Sequence, residues 1–559
     1  MNLKCFNKIS NKKLLITFFI SIFIFGLLFL PKISPNFDEN IEQNILRSNI
    51  LQYSKILKLN SLTEYYENMG IVPISQSSEK DHGIASYYLA SPILLLYNVS
   101  ANYVSVLWHI YTYSIFFLSV IYIFKLIMYL YKKRSVAFIT TMMYFFSPRI
   151  LIDSLHNNKD IIFMSLLIIM LYYGLRFTNE RKYKDSIKFA IVSAFVCNIK
   201  VLGLYFLGVV GLAYIYKMIV NKEFNRKNFC CGLVAAIISL VLYFLLTPAI
   251  YGSGSFDLVN FITYCLSNSI NFRGTPNVLF EGNIYNKSIN PLPWYYVPKM
   301  ISVTLPLFLI VMFLISFMLI IYNNFVYLKK IITFKNKNKK VKYNENLLNL
   351  NVVLLIFIVP LAIAIFTRPN LYNGWRHFYF LYGLILIITS FGINHIYVKY
   401  LNKKMIYYIF TISLIISLTY NSYCLLKYSV ANTAYFNILV KKSNLENYYE
   451  LDYYGVTTGE ALVEFLNTNP KTGPDGKVNL YGFGFNSRVI GDFFRTANGH
   501  LRKQINYLNN EQYDEYVDKK YPIYIVSNSV YQTKEYENYP IVFNYKIFDN
   551  HIIDIYEKK

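Results

Sequence analysis

Residues 14–40 read LLITFFISIFIFGLLFLPKISPNFDEN. The first 17 of them are almost all apolar, which is about the length of a membrane-spanning helix. The motif Pro35-Asn36-Phe37-Asp38-Glu39-Asn40 follows four residues later, so two adjacent carboxylates come where the chain leaves the lipid. A carboxylate is costly to desolvate at that boundary, which makes Asp38 and Glu39 candidates for a function. The structural alternative is that Asp38 caps a helix that begins at Glu39.

The composition is that of a membrane protein. Of 559 residues, 55% are hydrophobic and only 15% are charged, against about 25% charged in an average soluble domain. The mean hydropathy is +0.33. We therefore expect an all-α, multi-pass membrane protein with about eleven transmembrane helices. They are predicted at residues 14–30, 103–131, 136–147, 161–177, 187–199, 201–216, 232–249, 300–327, 347–366, 378–398 and 405–426.

The formal net charge is +24, and lysines and arginines concentrate in every second loop between the predicted spans. Cytoplasmic loops of membrane proteins are enriched in these residues. The alternation predicts a cytoplasmic amino terminus and an extracytoplasmic carboxyl-terminal region in a plasma membrane, which we expect to be bacterial. Because topology explains the charge, nucleic acid is not expected as a partner, whereas membrane lipids are.

Two domains are predicted. Residues 1–426 form the transmembrane domain, with a first outer loop at 32–102 that carries juxtamembrane helices and a second outer loop at 250–299. Within the first loop, residues 39–59 have the pattern of an amphipathic helix lying along the membrane surface. Residues 427–559 are more polar and predict a small extracytoplasmic α/β domain. Its predicted elements are a helix at 459–467 and strands at 477–482, 521–527 and 539–548.

Unusual polar residues collect in the predicted outer loops: His156, Lys159, Asp160, Lys200, Trp294, Tyr295, Arg376 and His377. Most of them have a structural alternative. Asp160 could cap the helix it begins, Lys159 and Lys200 could extend to lipid headgroups, and the aromatic residues could be interfacial. Together, an acidic site and several cations on one face indicate a phosphate-handling site beside a general base.

Several motifs, in this order, resemble a known superfamily. They are Phe37-Asp38-Glu39, Asn157-Asn158-Lys159-Asp160, Pro293-Trp294-Tyr295-Tyr296, Gly374-Trp375-Arg376-His377, Tyr435-Phe436-Asn437 and Glu450-Leu451-Asp452-Tyr453-Tyr454-Gly455. The chain resembles the polyprenyl-phosphate-dependent glycosyltransferases of the protein O-mannosyltransferase and aminoarabinose transferase superfamily, which have the GT-C fold. The resemblance covers most of residues 14–465.

The resemblance implies transfer of a sugar from a polyprenyl-phosphate donor to a hydroxyl acceptor at the outer face, with inversion. The acceptor could be a lipid, a cell-envelope glycan or a protein Ser or Thr. Asp38 is then the general base that takes the hydroxyl proton, and Glu39 orients Asp38 or the acceptor. A phosphate leaving group departs without an acid when cations stabilise it. Lys159, Lys200 and Arg376 are the candidate donor-phosphate ligands.

The acceptor or its sugar is expected to meet His156, Asp160, Trp294, Tyr295 and His377. No obligatory cofactor is expected, and a divalent cation near Asp160 and His156 is left open, without assigned metal ligands. No Gly-rich nucleotide loop is evident, which is consistent with a lipid-linked donor.

Two departures and two rivals remain. Lys200 stands where many relatives have Arg, and residues beyond about 470 match no part of the family, which leaves the acceptor open. One rival is a catalytically inactive scaffold, which the sequence does not exclude. The other is a transporter or flippase of lipid-linked sugars, which would place charges near the membrane midplane on broken helices. The predicted positions at the outer helix ends favour transfer.

Overall fold

The computed structural model describes residues 12–252, 256–270, 277–335, 344–369, 371–400, 404–497, 499–531 and 538–558. The first helices are α1 Lys12–Leu27, α2 Glu39–Ile56, α3 Asn60–Asn68, α4 Ala101–Tyr131, α5 Arg134–Phe145, α6 Pro148–His156, α7 Asp160–Glu180, α8 Tyr183–Ile199, α9 Leu202–Val220, α10 Arg226–Leu246 and α11 Leu258–Ile270. They are followed by α12 Tyr296–Thr304, α13 Leu307–Lys335, α14 Glu345–Thr367, α15 Phe380–Lys399 and α16 Lys404–Tyr428.

Within the described ranges, nine helices are long and apolar enough to cross a membrane: α1, α4, α7, α9, α10 and α13 to α16. The expected multi-pass helical membrane protein is confirmed, with fewer clear spans than the eleven predicted. The predicted span at 187–199 lies in α8, which has 17 residues. Lys184, Asp185 and Lys188 make its first turns polar, so this helix is shorter and less apolar than a typical span.

The span predicted at 136–147 is also not a single membrane-spanning helix. It corresponds to the 12-residue helix α5, which meets α6 at a bend of 67° and with it makes a tenth candidate span. Pro148 causes the break, because proline lacks the amide hydrogen that a continuous helix needs but fits the first turn of a new one. Ser147 is extended, as expected before a proline. Helix α6 is fully buried and leads directly into α7.

The segments between the spans carry short elements. Helix α2 confirms the helix predicted at residues 39–59, although its position along the membrane surface stays a prediction. A long 3₁₀ helix, Ala85–Asn98, packs against α4. The second predicted outer loop contains α11 and a small hairpin of β1 Val278–Phe280 and β2 Asn283–Tyr285.

The carboxyl-terminal region is an α/β unit, as predicted. It contains α17 Thr458–Leu466, β3 Val478–Tyr481, α18 Phe485–Thr496, α19 Gly499–Gln504, β4 Ile505–Tyr507, α20 Asn510–Asp518, β5 Ile523–Asn528, β6 Ile541–Ile547 and β7 Asn550–Lys558. The five strands have the order β4-β3-β5-β7-β6, with β3 parallel to β4 and β5 and the remaining pairs antiparallel.

Sequence reasoning found three of these strands and missed β4 and β7. Strand β4 has only three residues, too few for a periodic pattern. Strand β7 follows β6 through Phe548 and Asp549, both with positive φ (49° and 67°), which is the geometry of a two-residue hairpin turn. Phe is an unusual residue at such a turn, so the turn carried a weak sequence signal. The predicted domain boundary at 426/427 and the extracytoplasmic side stay predictions.

Candidate active site

The segment before α2 is held by the chain that follows the last membrane helix. The Ser34 amide donates to the Val456 carbonyl at 3.2 Å, and the Phe37 amide donates to the Tyr454 carbonyl at 3.1 Å. The Asn36 side chain accepts from the Asp38 amide at 2.7 Å and donates to the His156 carbonyl. These contacts place Asp38 at the amino-terminal tip of α2, next to the end of α6.

The Asp38 carboxylate pairs with Arg376. Its Oδ2 lies 2.7 Å from Nη1 of the guanidinium, and Asp38 keeps 29% of its side-chain surface exposed while Arg376 keeps 7%. Asp38 occupies the N-cap position of α2, but its side chain makes no capping hydrogen bond. The helix-cap alternative therefore lacks the bond it requires, and the carboxylate is directed toward a cation and solvent instead.

The loop that carries Arg376 is fixed by Gly374 and Glu450. Gly374 has φ +68°, in the left-handed region that favours glycine, and its carbonyl accepts from the Tyr296 hydroxyl at 3.0 Å. The Glu450 carboxylate accepts from the Asn373 amide at 3.0 Å. Burial raises the pKa of Glu450 to about 7, against opposing hydrogen bonds from backbone amides. A carboxyl that titrates near neutrality thus supports the Arg376 loop.

The Arg376 guanidinium lies between aromatic rings. Its Cζ is 4.9 Å from the Tyr372 ring centroid and 5.2 Å from that of Tyr454, and Nη1 also donates to the Tyr454 hydroxyl at 3.2 Å. The buried Nε has no hydrogen-bond acceptor among the described residues. A buried donor without an acceptor is costly, so an anionic oxygen at this edge of the guanidinium would stabilise the site.

A second cation–carboxylate pair lies at the start of α7. Nζ of Lys200 is 2.6 Å from Oδ1 of Asp160 and 3.4 Å from the His377 carbonyl. Burial lowers the pKa of Lys200, which the Asp160 carboxylate opposes. Asp160 does not cap its helix: Lys159 is the N-cap residue of α7, which has no side-chain cap hydrogen bond. The Asn157 side chain accepts from the backbone amides of Lys159 and Asp160 at 3.3 and 2.8 Å.

Of the three candidate phosphate ligands, Lys159 is the one whose charged group has no hydrogen-bonding or ion-pair partner among the described residues. It is partly exposed, and its ammonium forms no hydrogen bond or ion pair within the part of the chain that the structure describes. Its charge acts at longer range on Glu42, whose pKa is raised by burial and lowered in turn by Lys159. Glu42 is one turn after Asp38, on the same face of α2. Sequence reasoning did not single out Glu42.

Glu39 lies on a different face of α2 from Asp38. It is 3% exposed, its Oε2 lies 2.8 Å from Nε2 of His109, and its Oε1 accepts from the Gln43 side chain at 3.2 Å. The structure therefore does not bring the two adjacent carboxylates to the same partner. Glu39 makes no direct contact with Asp38 that would support a role in orienting it. A role for Glu39 in orienting the acceptor stays a prediction.

The remaining predicted residues are distributed unevenly. His377 follows Arg376, its ring packs 4.9 Å from Tyr372, and burial lowers its pKa well below the usual range. His156 is 1% exposed, behind the Tyr454 ring at 4.9 Å. Trp294 is 55% exposed and packs on Tyr295, whose hydroxyl donates to Glu281 at 3.3 Å. Trp294 and Tyr295 thus belong to the hairpin region, and their binding roles stay predictions.

Tyr454 and Tyr296 are the organising residues for which sequence reasoning assigned no role. The Tyr454 hydroxyl accepts from the side-chain amide of Asn157 at 2.6 Å and from Arg376. It therefore links the segment between α6 and α7 to the Arg376 loop. Both tyrosines lie in motifs that carry the resemblance. Only the long-range contacts show which of several adjacent aromatic residues faces the site.

A metal centre is not assembled from these residues. In the described ranges, no group of three or more His, Cys, Asp or Glu side chains is placed to hold a metal ion. Asp160 is engaged with Lys200, and His156 lies behind Tyr454. The divalent cation left open at these two residues therefore has no assigned ligands.

The fold and the site define a multi-pass helical membrane protein with a carboxyl-terminal α/β unit and a cluster of cations and carboxylates at its helix ends. No family model matches the chain, and no curated protein matches it. Among solved structures it is similar to ArnT from Cupriavidus metallidurans bound to undecaprenyl phosphate, with 10% identity, a TM-score of 0.45 and 98% coverage of both chains. The apo state of ArnT matches with 9% identity, a TM-score of 0.43 and 97% coverage of both chains.

A third similar structure is the archaeal oligosaccharyltransferase AglB from Archaeoglobus fulgidus, in complex with an inhibitory peptide and a dolichol-phosphate. It has 11% identity and a TM-score of 0.43, covering 91% of this chain and 69% of AglB. The resemblance stated from the sequence thus recurs in the structural comparison.

Proposed function

We propose that this protein transfers a sugar from a polyprenyl-phosphate carrier to a hydroxyl acceptor at the outer face of the membrane, with inversion. Asp38 is the general base, and Arg376 with Lys159 binds the donor phosphate. The observation that carries the proposal is the 2.7 Å pair between Asp38 and Arg376, which joins a partly exposed base to a phosphate-binding cation.

The geometry supports phosphate binding at Arg376. Nη1 is occupied by Asp38 and Tyr454, whereas the buried Nε has no acceptor in the described part of the chain. A donor phosphate at the Nε edge could bind while Nη1 stays on Asp38. Lys159 supplies a second positive charge near the start of α7. Lys200 is a weaker candidate, because Asp160 already neutralises it at 2.6 Å.

In the proposed reaction, the acceptor hydroxyl gives its proton to the Asp38 carboxylate as its oxygen attacks the anomeric carbon of the sugar. The new carbon–oxygen bond forms on the face opposite the phosphate. The bond between the anomeric carbon and the phosphate oxygen breaks, and its electron pair leaves with the polyprenyl phosphate. Arg376 and Lys159 stabilise the charge on that leaving group, which therefore needs no proton.

The observations favour transfer over transport. One feature is expected of transporters: α6 follows a break in the helix and carries buried Arg149 and Asp153. Each charge has partners within the protein. Nη2 of Arg149 donates to the Thr433 and Tyr435 carbonyls, and Oδ2 of Asp153 accepts from the Tyr379 hydroxyl at 2.5 Å. Nε and Nη1 of Arg149 and Oδ1 of Asp153 have no hydrogen-bond partner among the described residues. The bonds to Nη2 and Oδ2 hold both side chains against the protein, as in a scaffold behind the site.

The test is a transfer assay with the purified full-length protein. Labelled polyprenyl-phosphate mannose, glucose, galactose and aminoarabinose are supplied with membrane extract as the source of acceptors. We expect one donor to release polyprenyl phosphate and label a new product. In proteoliposomes, movement of an intact labelled lipid between leaflets, without cleavage of its sugar, would instead establish the transporter.

A further inference from the structure

The residue before the proposed base is held by helix α18 of the carboxyl-terminal unit. Nη2 of Arg488 donates to the Phe37 carbonyl at 3.3 Å, and Cζ of the same guanidinium lies 4.1 Å from the centroid of the Phe37 ring. The Phe485 ring packs edge-on against the Phe37 ring, with 5.2 Å between the centroids. Both the backbone and the side chain of Phe37 therefore contact α18.

The peptide unit that joins Phe37 to Asp38 is hydrogen-bonded at both edges. Arg488 donates to its carbonyl, and its amide, which belongs to Asp38, donates to the Asn36 side chain at 2.7 Å. Because a peptide unit is planar, these two bonds fix its orientation and with it the Cα of Asp38. From that point the Asp38 carboxylate extends to Nη1 of Arg376. A rotation of this peptide unit would therefore move the carboxylate.

Helix α18 is a fixed support for Arg488. The Asn528 amide, at the end of β5, donates to the Asn486 side chain of α18 at 2.9 Å. The Asn528 side chain donates to the Asp452 carbonyl at 3.0 Å, in the segment that follows the last membrane helix. Arg488 thus reaches Phe37 from a helix that is bonded both to the sheet of its own unit and to the membrane domain's neighbouring segment.

The guanidinium of Arg488 is not used to balance a carboxylate. Arg488 is partly exposed, and it forms no ion pair in the part of the chain that the structure describes. Its ring contact and its carbonyl bond both go to Phe37. A guanidinium can stack on a ring and donate at its edge at the same time, because it is planar and carries several N–H groups.

From these contacts we infer that Arg488 is a positioning residue for the proposed base: it fixes the peptide unit before Asp38 so that the carboxylate meets the acceptor hydroxyl. This inference rests on the proposed function. A displacement of about 1 Å in a catalytic group can reduce turnover by about 10²-fold. The region beyond residue 470, which matches no motif of the family, thereby gains a role that acts through Asp38.

Turnover of the labelled lipid-phosphate sugar by the purified full-length protein tests this assignment. Arg488→Ala should lower kcat by about 10–100-fold and leave the KM for the donor unchanged. Arg488→Lys should give an intermediate kcat, because the ammonium keeps the charge over the ring but not the planar edge. When Arg488→Ala is added to Asp38→Asn, the residual turnover should not fall further, because a positioning residue has no effect once the base is absent.

Arg502→Ala is the matched control. Arg502 makes the same two kinds of contact within the carboxyl-terminal unit: its Nε donates to the Phe494 carbonyl at 3.1 Å, and its Cζ lies 5.4 Å from the Phe494 ring centroid. Its replacement should leave kcat at the wild-type value. Undecaprenyl phosphate should bind all variants equally, and their thermal unfolding midpoints show that each is folded.

Hydrogen–deuterium exchange of residues 33–42 measures the same contact without turnover. The amides of Phe37 and Asp38 are hydrogen-bonded in the wild type, and loss of the Arg488 bond should let this turn open more often. We expect exchange about tenfold faster in Arg488→Ala and unchanged in Arg502→Ala.

The outcomes separate the two proposals. The positioning role is wrong if Arg488→Ala has wild-type turnover or wild-type exchange, or if it lowers turnover by the same factor with and without Asp38→Asn. Weaker binding of undecaprenyl phosphate by Arg488→Ala would make Arg488 a phosphate ligand and overturn the positioning role. Faster exchange in Arg488→Ala, in a protein that turns over no sugar donor, would instead contradict the proposed function alone.

Discussion

Asp38 and Arg376 are separated by 338 positions in the sequence and are joined by a 2.7 Å ion pair at the tip of α2. The pair connects the segment after the first membrane helix with the segment before α15. It lies above the ring of Tyr454, which comes from the chain after the last membrane helix. Three distant parts of the chain thus meet at the Arg376 guanidinium, which is the arrangement expected of a site rather than of a helix cap.

Arg376→Lys should weaken donor binding. The substitution keeps the charge but loses the planar guanidinium, so the contact to Asp38 and the free Nε edge cannot both be kept. We expect a loss of about 1–3 kcal/mol in binding free energy for undecaprenyl phosphate, the range of a charge-assisted hydrogen bond. Arg368→Lys, an exposed arginine nearby, is the control. Equal affinity in the wild type, Arg376→Lys and Arg376→Ala would reject the phosphate role.

Tyr454→Phe should destabilise the site without changing its shape. The ring remains under Arg376, but the hydroxyl that accepts from Asn157 and Arg376 is lost. We expect the free energy of unfolding to fall by about 1–3 kcal/mol, because the buried Asn157 amide is left without this acceptor. Thermal unfolding should show a lower midpoint, whereas Tyr448→Phe, at an exposed tyrosine, should leave it unchanged. A Tyr454→Phe protein as stable as the wild type would contradict the linking role.

Glu450 should give stability a specific pH dependence. Its pKa is raised by burial from 4.5 to about 7, so the folded protein binds this proton more tightly than the unfolded chain. The contribution is fully present below about pH 4.5 and is lost as the pH rises through 7. Glu450→Gln removes the titration, so its unfolding midpoint should vary less than that of the wild type over this window. Glu511→Gln, at an exposed glutamate of α20, should keep the wild-type slope.

The membrane orientation is tested separately. A reporter that fluoresces only in the cytoplasm, fused after residue 559, should be dark, because the basic loops place the carboxyl-terminal unit outside. The same reporter inserted after Lys222, in a predicted cytoplasmic loop, should be bright and shows that the fusions are expressed. A bright fusion after residue 559 would place the proposed site on the cytoplasmic side.

Local sequence signals predicted the elements that depend on local physics. The apolar runs predicted most of the membrane helices, and the pattern after Asp38 predicted α2. The sequence signals failed where a helix was short and partly polar, as in α8, or where a proline divided an apolar run, as at Pro148. Sequence position placed Asp38 beside the membrane helix but could not show its pairing with Arg376, because ion pairs between distant segments leave no local pattern. Glu39 illustrates the same limit. It is adjacent to Asp38 in the sequence, but its carboxylate contacts His109 and not Arg376.

The central claim is that Asp38 takes the acceptor proton, and turnover of the labelled lipid-phosphate sugar by Asp38→Asn tests it most directly. The amide keeps the size of the side chain, so the protein should fold and bind undecaprenyl phosphate while turnover falls by roughly 10²–10⁴-fold, the usual contribution of a positioned base. Glu39→Gln, at the neighbouring carboxylate, should lose less. A folded Asp38→Asn protein with wild-type turnover would contradict the claim.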